Sequence, residues 1–224
     1  MTGVQMLSGF VFATHQKREP HADAVLAYSK WADKYDEDLT WVLGSVAGDE
    51  VAENSMKYLK NTETALLLDL AASTGLVAEA LLSRGYKGVM DAIELNEDML
   101  KKAELKGIYR KHICFKISPD TLIPVEQGAY DTVTCGGAFG ANHLEEGCIP
   151  NITRCLKHGG ILIFNTRKTD ANKKFIIKLN NVAEKLVRSG QLVEIEVKDM
   201  VFYRAKSKET GDVMKAVLYI YKKI

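Results

Sequence analysis

The chain has 224 residues, with 30 Lys or Arg against 29 Asp or Glu and a formal net charge of +1. That length and balance fit one globular unit and exclude collagen, coiled-coil and disordered-tail classes. A near-zero charge gives no whole-molecule field for gathering DNA or an anionic membrane, so nucleic acid is not the expected partner.

Residues 1–24 have no clear period and include the polar run 15–20, so they read as an N-terminal arm, either loosely ordered or a short helix. The apolar stretch 6–13 is too short to span a bilayer and has no basic residues before it, which makes it a poor signal peptide. From 25 to 224 the pattern suggests a single domain with a helical N-terminal cover. Val25, Leu26, Tyr28, Trp31, Ala32, Tyr35 and Leu39 recur at helical spacing, and 48–60 repeats the pattern.

Strand and helix then alternate. Strands are predicted at 65–70, 88–95, 112–117, 131–135 and 161–166, with helices at 76–84, 97–106, within 145–157 and at 171–189. Such alternation implies parallel strands with right-handed crossovers and helices on both faces. Two β-rich runs, 192–204 and 213–221, are joined by polar residues and read as a terminal antiparallel hairpin. The lysines of 170–188 read as a solvated helix face, because no aromatic residues interleave them as a stacking platform requires. The cysteines Cys114, Cys135, Cys148 and Cys155 form no CxxC pair and read as reduced thiols, consistent with a cytoplasmic or nucleocytoplasmic setting; no metal site is expected.

The run DLAASTG at 69–75 follows the first strand and opens a helix. Its small residues let backbone approach a ligand, and helix N-terminal N–H groups face the carboxyl edge of the sheet. Glu94 ends the next strand, about twenty residues on, where a ribose-binding acid is required. A carboxylate at Asp69 disfavours a pyrophosphate and favours a ligand carrying an ammonium and a sulfonium. A βα turn without any ligand fits the same residues.

Those residues resemble the first motif of class I S-adenosylmethionine-dependent methyltransferases, an acid followed by three alternating small residues, usually glycines. Here Ala71 and Ser73 stand in the first two glycine places and Gly75 keeps the third. The runs YSKWADKYDEDL at 28–39 and DAIELNEDMLKKAELKGIY at 91–109 resemble a narrower group, the methyltransferase-like protein 27 or Williams-Beuren region proteins. The resemblance implies a Rossmann-like, doubly wound, seven-stranded α/β sheet, mostly parallel with an antiparallel C-terminal hairpin. It also implies S-adenosyl-L-methionine as cofactor and S-adenosyl-L-homocysteine as product.

By that resemblance Glu94 takes the ribose, while Leu95 and Met99 flank the adenine, with Asn96 as the N-cap between them. Met99 serves equally well as ordinary core. Ser118 stands where a polar group reads the adenine amine; the strand through Cys135, itself a cofactor contact, resembles the fourth motif, and Gly136, with Gly137, lets backbone pass close to the methionine arm. Tyr28, Trp31 and Tyr35 either fold over the cofactor or simply anchor their helix. His143, in the loop GGAFGANHLEE, is the candidate general base or substrate contact, and a solvated loop histidine is the plainer reading. The function these residues suggest is methyl transfer to a small-molecule acceptor. The alternatives are a cofactor-binding module without catalysis that acts through a protein partner, and a nicotinamide oxidoreductase.

Overall fold

A computed structural model describes residues 22–141, 143–207 and 211–224. The proposed arm 1–24 therefore lies, up to residue 21, outside the described residues, as does the stretch 6–13.

Seven strands form one sheet in the order β3-β2-β1-β4-β5-β7-β6: β1 (Leu66–Leu70), β2 (Val89–Glu94), β3 (Lys111–Cys114), β4 (Tyr130–Phe139), β5 (Leu156–Arg167), β6 (Leu192–Lys206) and β7 (Val213–Lys223). The first five run parallel, and β7 lies antiparallel between β5 and β6. This is the predicted sheet, with β4 at its centre and β1 beside it.

Alternation along each strand makes two apolar faces. Leu67, Ile163, Leu218 and Ile220 point to one side, where α1 (Ala22–Trp31), α2 (Ala47–Tyr58) and α3 (Leu76–Ser83) pack. Leu68, Leu162, Phe164, Val217 and Tyr219 point to the other, beneath α5 (Ile149–Cys155) and α6 (Lys173–Arg188). On α6 the buried residues Phe175, Leu179, Ala183 and Leu186 form one stripe, and its lysines are left to solvent. Between β2 and β3 runs α4 (Glu97–Leu105). No helix among the described residues is long and apolar enough to cross a membrane.

Three strand boundaries differ from expectation by three residues or more. β3 stops at Cys114 rather than 117. As an edge strand it has only β2 to pair with, and after Phe115 N–H donates to Glu94 O (3.0 Å) the β2 chain turns away into α4. β4 runs on to Phe139 because its end bulges: from Cys135↔Phe164 to Phe139↔Thr166 the chain takes four steps on β4 against two on β5. β5 starts at Leu156, paired with Tyr130, five residues before the expected 161.

Strand order reverses between β1 and β4. β2 and β3 lie on one side of β1, and the connection 115–129 carries the chain to the other. The crevice at the carboxyl ends of β1 and β4 is thus a topological switch point, where ligands of open α/β sheets bind.

Candidate active site at the switch point

The loop after β1 keeps the backbone of a glycine loop without most of its glycines. Ala71 has φ of 51° and Ser73 54°, with Gly75 at 92°. A left-handed backbone costs a non-glycine residue about 1–2 kcal/mol, so surrounding contacts must hold it. Ala72 N–H donates to Ile93 O (3.1 Å), and Ser73 N–H to Glu94 Oε2 (2.9 Å). Space favours Gly75 as well, since a Cβ there would sit a tight 3.1 Å from Ile108 Cδ1 and 3.2 Å from Tyr109 Cε2.

Glu94 ends β2 facing the loop. Its second oxygen accepts the Asn96 N–H (2.8 Å). Burial pushes its carboxyl above the ordinary range, and N–H donors from Asn96, Ser73 and Leu95 pull against that. Three donors leave the carboxylate a free lone pair, so the group can still accept from a ligand hydroxyl. Asn96 caps α4 by accepting from the Asp98 and Met99 N–H groups, both at 3.0 Å. Its amide donates to Val25 O (2.7 Å) and so ties the α1 cover to the sheet edge.

These groups border a cavity of about 160 Å³ whose other walls include Leu95, Met99, Phe115, Lys116 and Ile117. Both readings of Met99 hold at once: it is 1% exposed, yet it lines this cavity and accepts Ser73 Oγ–H at 3.6 Å. A second cavity of about 80 Å³ adjoins it, and Tyr28, Tyr35, Ala71, Ser73, Gly136 and Gly137 line both.

Over that shared wall lies an aromatic cover. The Tyr28 and Trp31 rings stack at 6.1 Å, and Trp31 meets Tyr35 edge-on at 4.7 Å. Trp31 Nε1–H donates to Asp38 Oδ2 (2.6 Å) and Thr74 Oγ1–H to Asp36 Oδ1 (2.5 Å), which fastens the cover to the β1 loop. Trp31 lines the smaller cavity only. His143 lines the larger one, with its Nε2 3.3 Å from the Tyr28 hydroxyl and its Nδ1 3.3 Å from Ala141 O. With Nδ1–H donated to that carbonyl, Nε2 accepts from Tyr28.

Nine of the thirteen residues expected to contact cofactor, together with His143, thus border the two cavities: Tyr28, Trp31, Tyr35, Ala71, Ser73, Glu94, Leu95, Met99 and Gly136. Four line neither. Asp69 is fully buried and accepts from Tyr109 Oη (2.6 Å) and Thr134 Oγ1 (2.9 Å); its position on β1 turns it into the layer behind the loop. Gly75 meets Ile108 and Tyr109 instead. Ser118, beyond the shortened β3, bonds Thr121 Oγ1 at 2.7 Å in a separate bridge. Cys135 is fully buried on the α5 and α6 face, and that burial raises its thiol far above the usual value.

Sequence reasoning missed Phe115 and Ile117, which form cavity wall because β3 ends early, and Arg167, Phe202 and Tyr203, which reach the smaller cavity from β5 and β6. Arg167 carried a signal, a charge directly after an apolar strand at the carboxyl edge. Asn165, fully buried, accepts from Gly137 N–H (2.8 Å) and donates to Ala47 O (2.9 Å), locking the β4 bulge to α2.

Sheet order and switch-point cavity together define the class I methyltransferase fold. Residues 68–164 match the family described as Methyltransferase domain. Human methyltransferase-like protein 27 is 26% identical over 163 residues, covering 73% of this chain and 65% of that protein. Malonyl-(acyl-carrier protein) O-methyltransferase 2 of Ilyobacter polytropus is 22% identical over 170 residues, covering 75% and 63%. The match thus spans a little under two thirds of each curated relative's length. Among solved structures, geranyl diphosphate C-methyltransferase from Streptomyces coelicolor, in complex with S-adenosyl-L-homocysteine among its ligands, is similar with a TM-score of 0.55 at 14% identity over 77% of this chain and 75% of that one. The cyclase SpnF is similar with a TM-score of 0.54 at 13% identity over 78% and 80%. The chain therefore has a class I methyltransferase fold, matches the Methyltransferase domain family over residues 68–164, and is similar to methyltransferase-like protein 27.

Proposed function

We propose that residues 25–224 act as one methyltransferase domain that binds S-adenosyl-L-methionine at the switch point and methylates a small-molecule acceptor. One observation carries the reading: the Glu94 carboxylate, already bonded to Ser73 N–H, faces a cavity walled by apolar residues on one side and a positive-φ loop on the other. Glu94 would take the ribose hydroxyls, and Leu95, Met99, Phe115 and Ile117 would sandwich the adenine. Ala71 and Ser73 present bare backbone to the arm between the cavities.

The bound cofactor supplies an electrophilic methyl carbon on sulfonium. The chain supplies position, exclusion of water and a place for a proton. Tyr28, Trp31 and Tyr35 close the site, and a ring face beside a cation contributes about 0.5–2 kcal/mol. They also hold reactants together, which is the larger part of such a displacement. His143 Nε2, once Tyr28 turns its hydroxyl away, is a base able to receive an acceptor's proton.

A second reading, a module that binds cofactor without catalysis and acts through a protein partner, draws on the strain at Ala71 and Ser73. Calorimetry with S-adenosyl-L-methionine, S-adenosyl-L-homocysteine and NADH tests the cofactor. No binding of either adenosyl compound up to about millimolar concentration would sink the methyltransferase reading. Incubating a metabolite extract with deuterated-methyl cofactor, followed by mass spectrometry, tests transfer: a labelled product supports the enzyme, and binding without any label supports the module.

A further inference from the structure

Arg167 is the last residue of β5 and lines the smaller cavity, yet it is only 7% exposed. A guanidinium keeps its charge in any protein environment, so burial cannot be relieved by losing a proton. Among the described residues no carboxylate lies within ion-pairing distance of it, and no hydrogen bond reaches its side chain. Arg110, by contrast, holds Asp91 through two nitrogens.

Packing fixes the group instead. The Phe202 ring lies 5.8 Å from Cζ, Nη2 abuts Gly140 where a Cβ would come within 3.7 Å, and Asn172 Nδ2–H holds the Arg167 carbonyl at 2.7 Å. A preorganised, largely buried cation without a protein anion among the described residues is a receptor for an anion from outside. Arg167 is the one charged side chain among the described residues lining this cavity, which matches a single negative charge and a planar oxygen pair. The hydroxyl-bearing walls Tyr28 and Tyr203 feel its field, since it lowers the pKa of both against the rise that burial causes.

We propose that Arg167 recognises a carboxylate on the methyl acceptor, so that the acceptor class is a small organic acid anion; this rests on the cofactor reading above. A carboxylate could also come from the cofactor's own amino-acid end. That end carries an ammonium on the same carbon, and the described residues lining the cavity offer it no carboxylate, only a cation. A simple carboxylate meets no such repulsion.

The test uses propionate and its neutral counterpart propionamide, titrated into the full chain saturated with S-adenosyl-L-homocysteine. The readouts are the Arg167 Nε–Hε resonance and calorimetry, with Arg167→Met alongside. Propionate is expected to bind, with propionamide at least about tenfold weaker, since only the anion makes charge-assisted bonds to the fork. Arg167→Met is expected to weaken propionate about tenfold or more while S-adenosyl-L-homocysteine changes less than about threefold. Arg167→Lys keeps the charge without the fork and should fall between the two. It also decides the matter if Arg167→Met does not fold.

Equal binding of acid and amide, or no effect of either variant, would overturn the anion site. Propionate binding only without S-adenosyl-L-homocysteine, with Arg167→Met weakening that compound tenfold, would assign Arg167 to the cofactor and overturn the acceptor proposal. If S-adenosyl-L-homocysteine fails to bind at all, the cofactor reading falls and the acceptor assignment with it. The same titration on the free protein then reports separately whether Arg167 holds an anion.

Discussion

Glu94 and Ser73 are joined by a 2.9 Å hydrogen bond from the Ser73 backbone N–H to the Glu94 carboxylate, so the end of β2 holds the loop of β1 in its left-handed turn. One carboxylate both shapes the loop and faces the cavity. Glu94→Ala should therefore weaken S-adenosyl-L-methionine and lower stability by about 1–3 kcal/mol, because the Ser73 and Asn96 N–H groups lose their acceptor. Calorimetry and urea denaturation measure the two effects. Unchanged affinity would mean the ribose place lies elsewhere.

Loop strain gives opposite expectations at two neighbouring sites. Ala71→Gly relieves a φ of 51° and should leave stability unchanged or raise it by up to about 1 kcal/mol, the strain relief outweighing the unfolded chain's added freedom. Gly75→Ala adds strain at φ 92° and crowds Ile108 and Tyr109, and should cost about 2 kcal/mol or more. Denaturation midpoints that move the same way would contradict the left-handed loop.

Asp69 should impose a pH dependence on folding. Burial raises its carboxyl to about 6 from 3.8, against the pull of Tyr109 and Thr134, so the folded state holds the proton more tightly than the unfolded chain. Its contribution is full below pH 3.8 and is lost as pH rises to about 6, about 3 kcal/mol in all. Asp69→Asn removes that titration. Between pH 4 and 7 the wild type should lose about 2 kcal/mol more than this variant; parallel stability curves would place the Asp69 pKa near its ordinary value.

Asn96 separates capping from docking of the cover. Asn96→Ala should cost about 1–2 kcal/mol by uncapping α4. Asn96→Asp keeps the cap but loses the donor to Val25 O and Ser29 Oγ, so α4 stays protected while α1 exchanges its amide hydrogens faster. Equal protection of α1 in wild type and Asn96→Asp would mean the cover docks by its aromatic contacts alone.

The sequence by itself determined the sheet and the loop, because both are written in local periodicity and spacing. Alternating strands and helices implied the parallel order, and an acid about twenty residues past a small-residue turn placed Glu94 opposite Ser73. Asn96 as a helix cap was equally local. Which way a side chain points at a strand end was decided only in three dimensions. Asp69 sits next to the loop in sequence, but Tyr109 and Thr134 turn its charge into the layer behind. Ser118 lost its place when edge strand β3 ran out of partner, and Phe115 and Ile117 gained theirs. Arg167, ninety-odd residues past the loop, meets it only because β5 pairs with β4 and β6 folds back with Phe202 and Tyr203. An unpaired buried charge cannot be read from spacing, since its absent partner is a fact about every other chain segment packed around it.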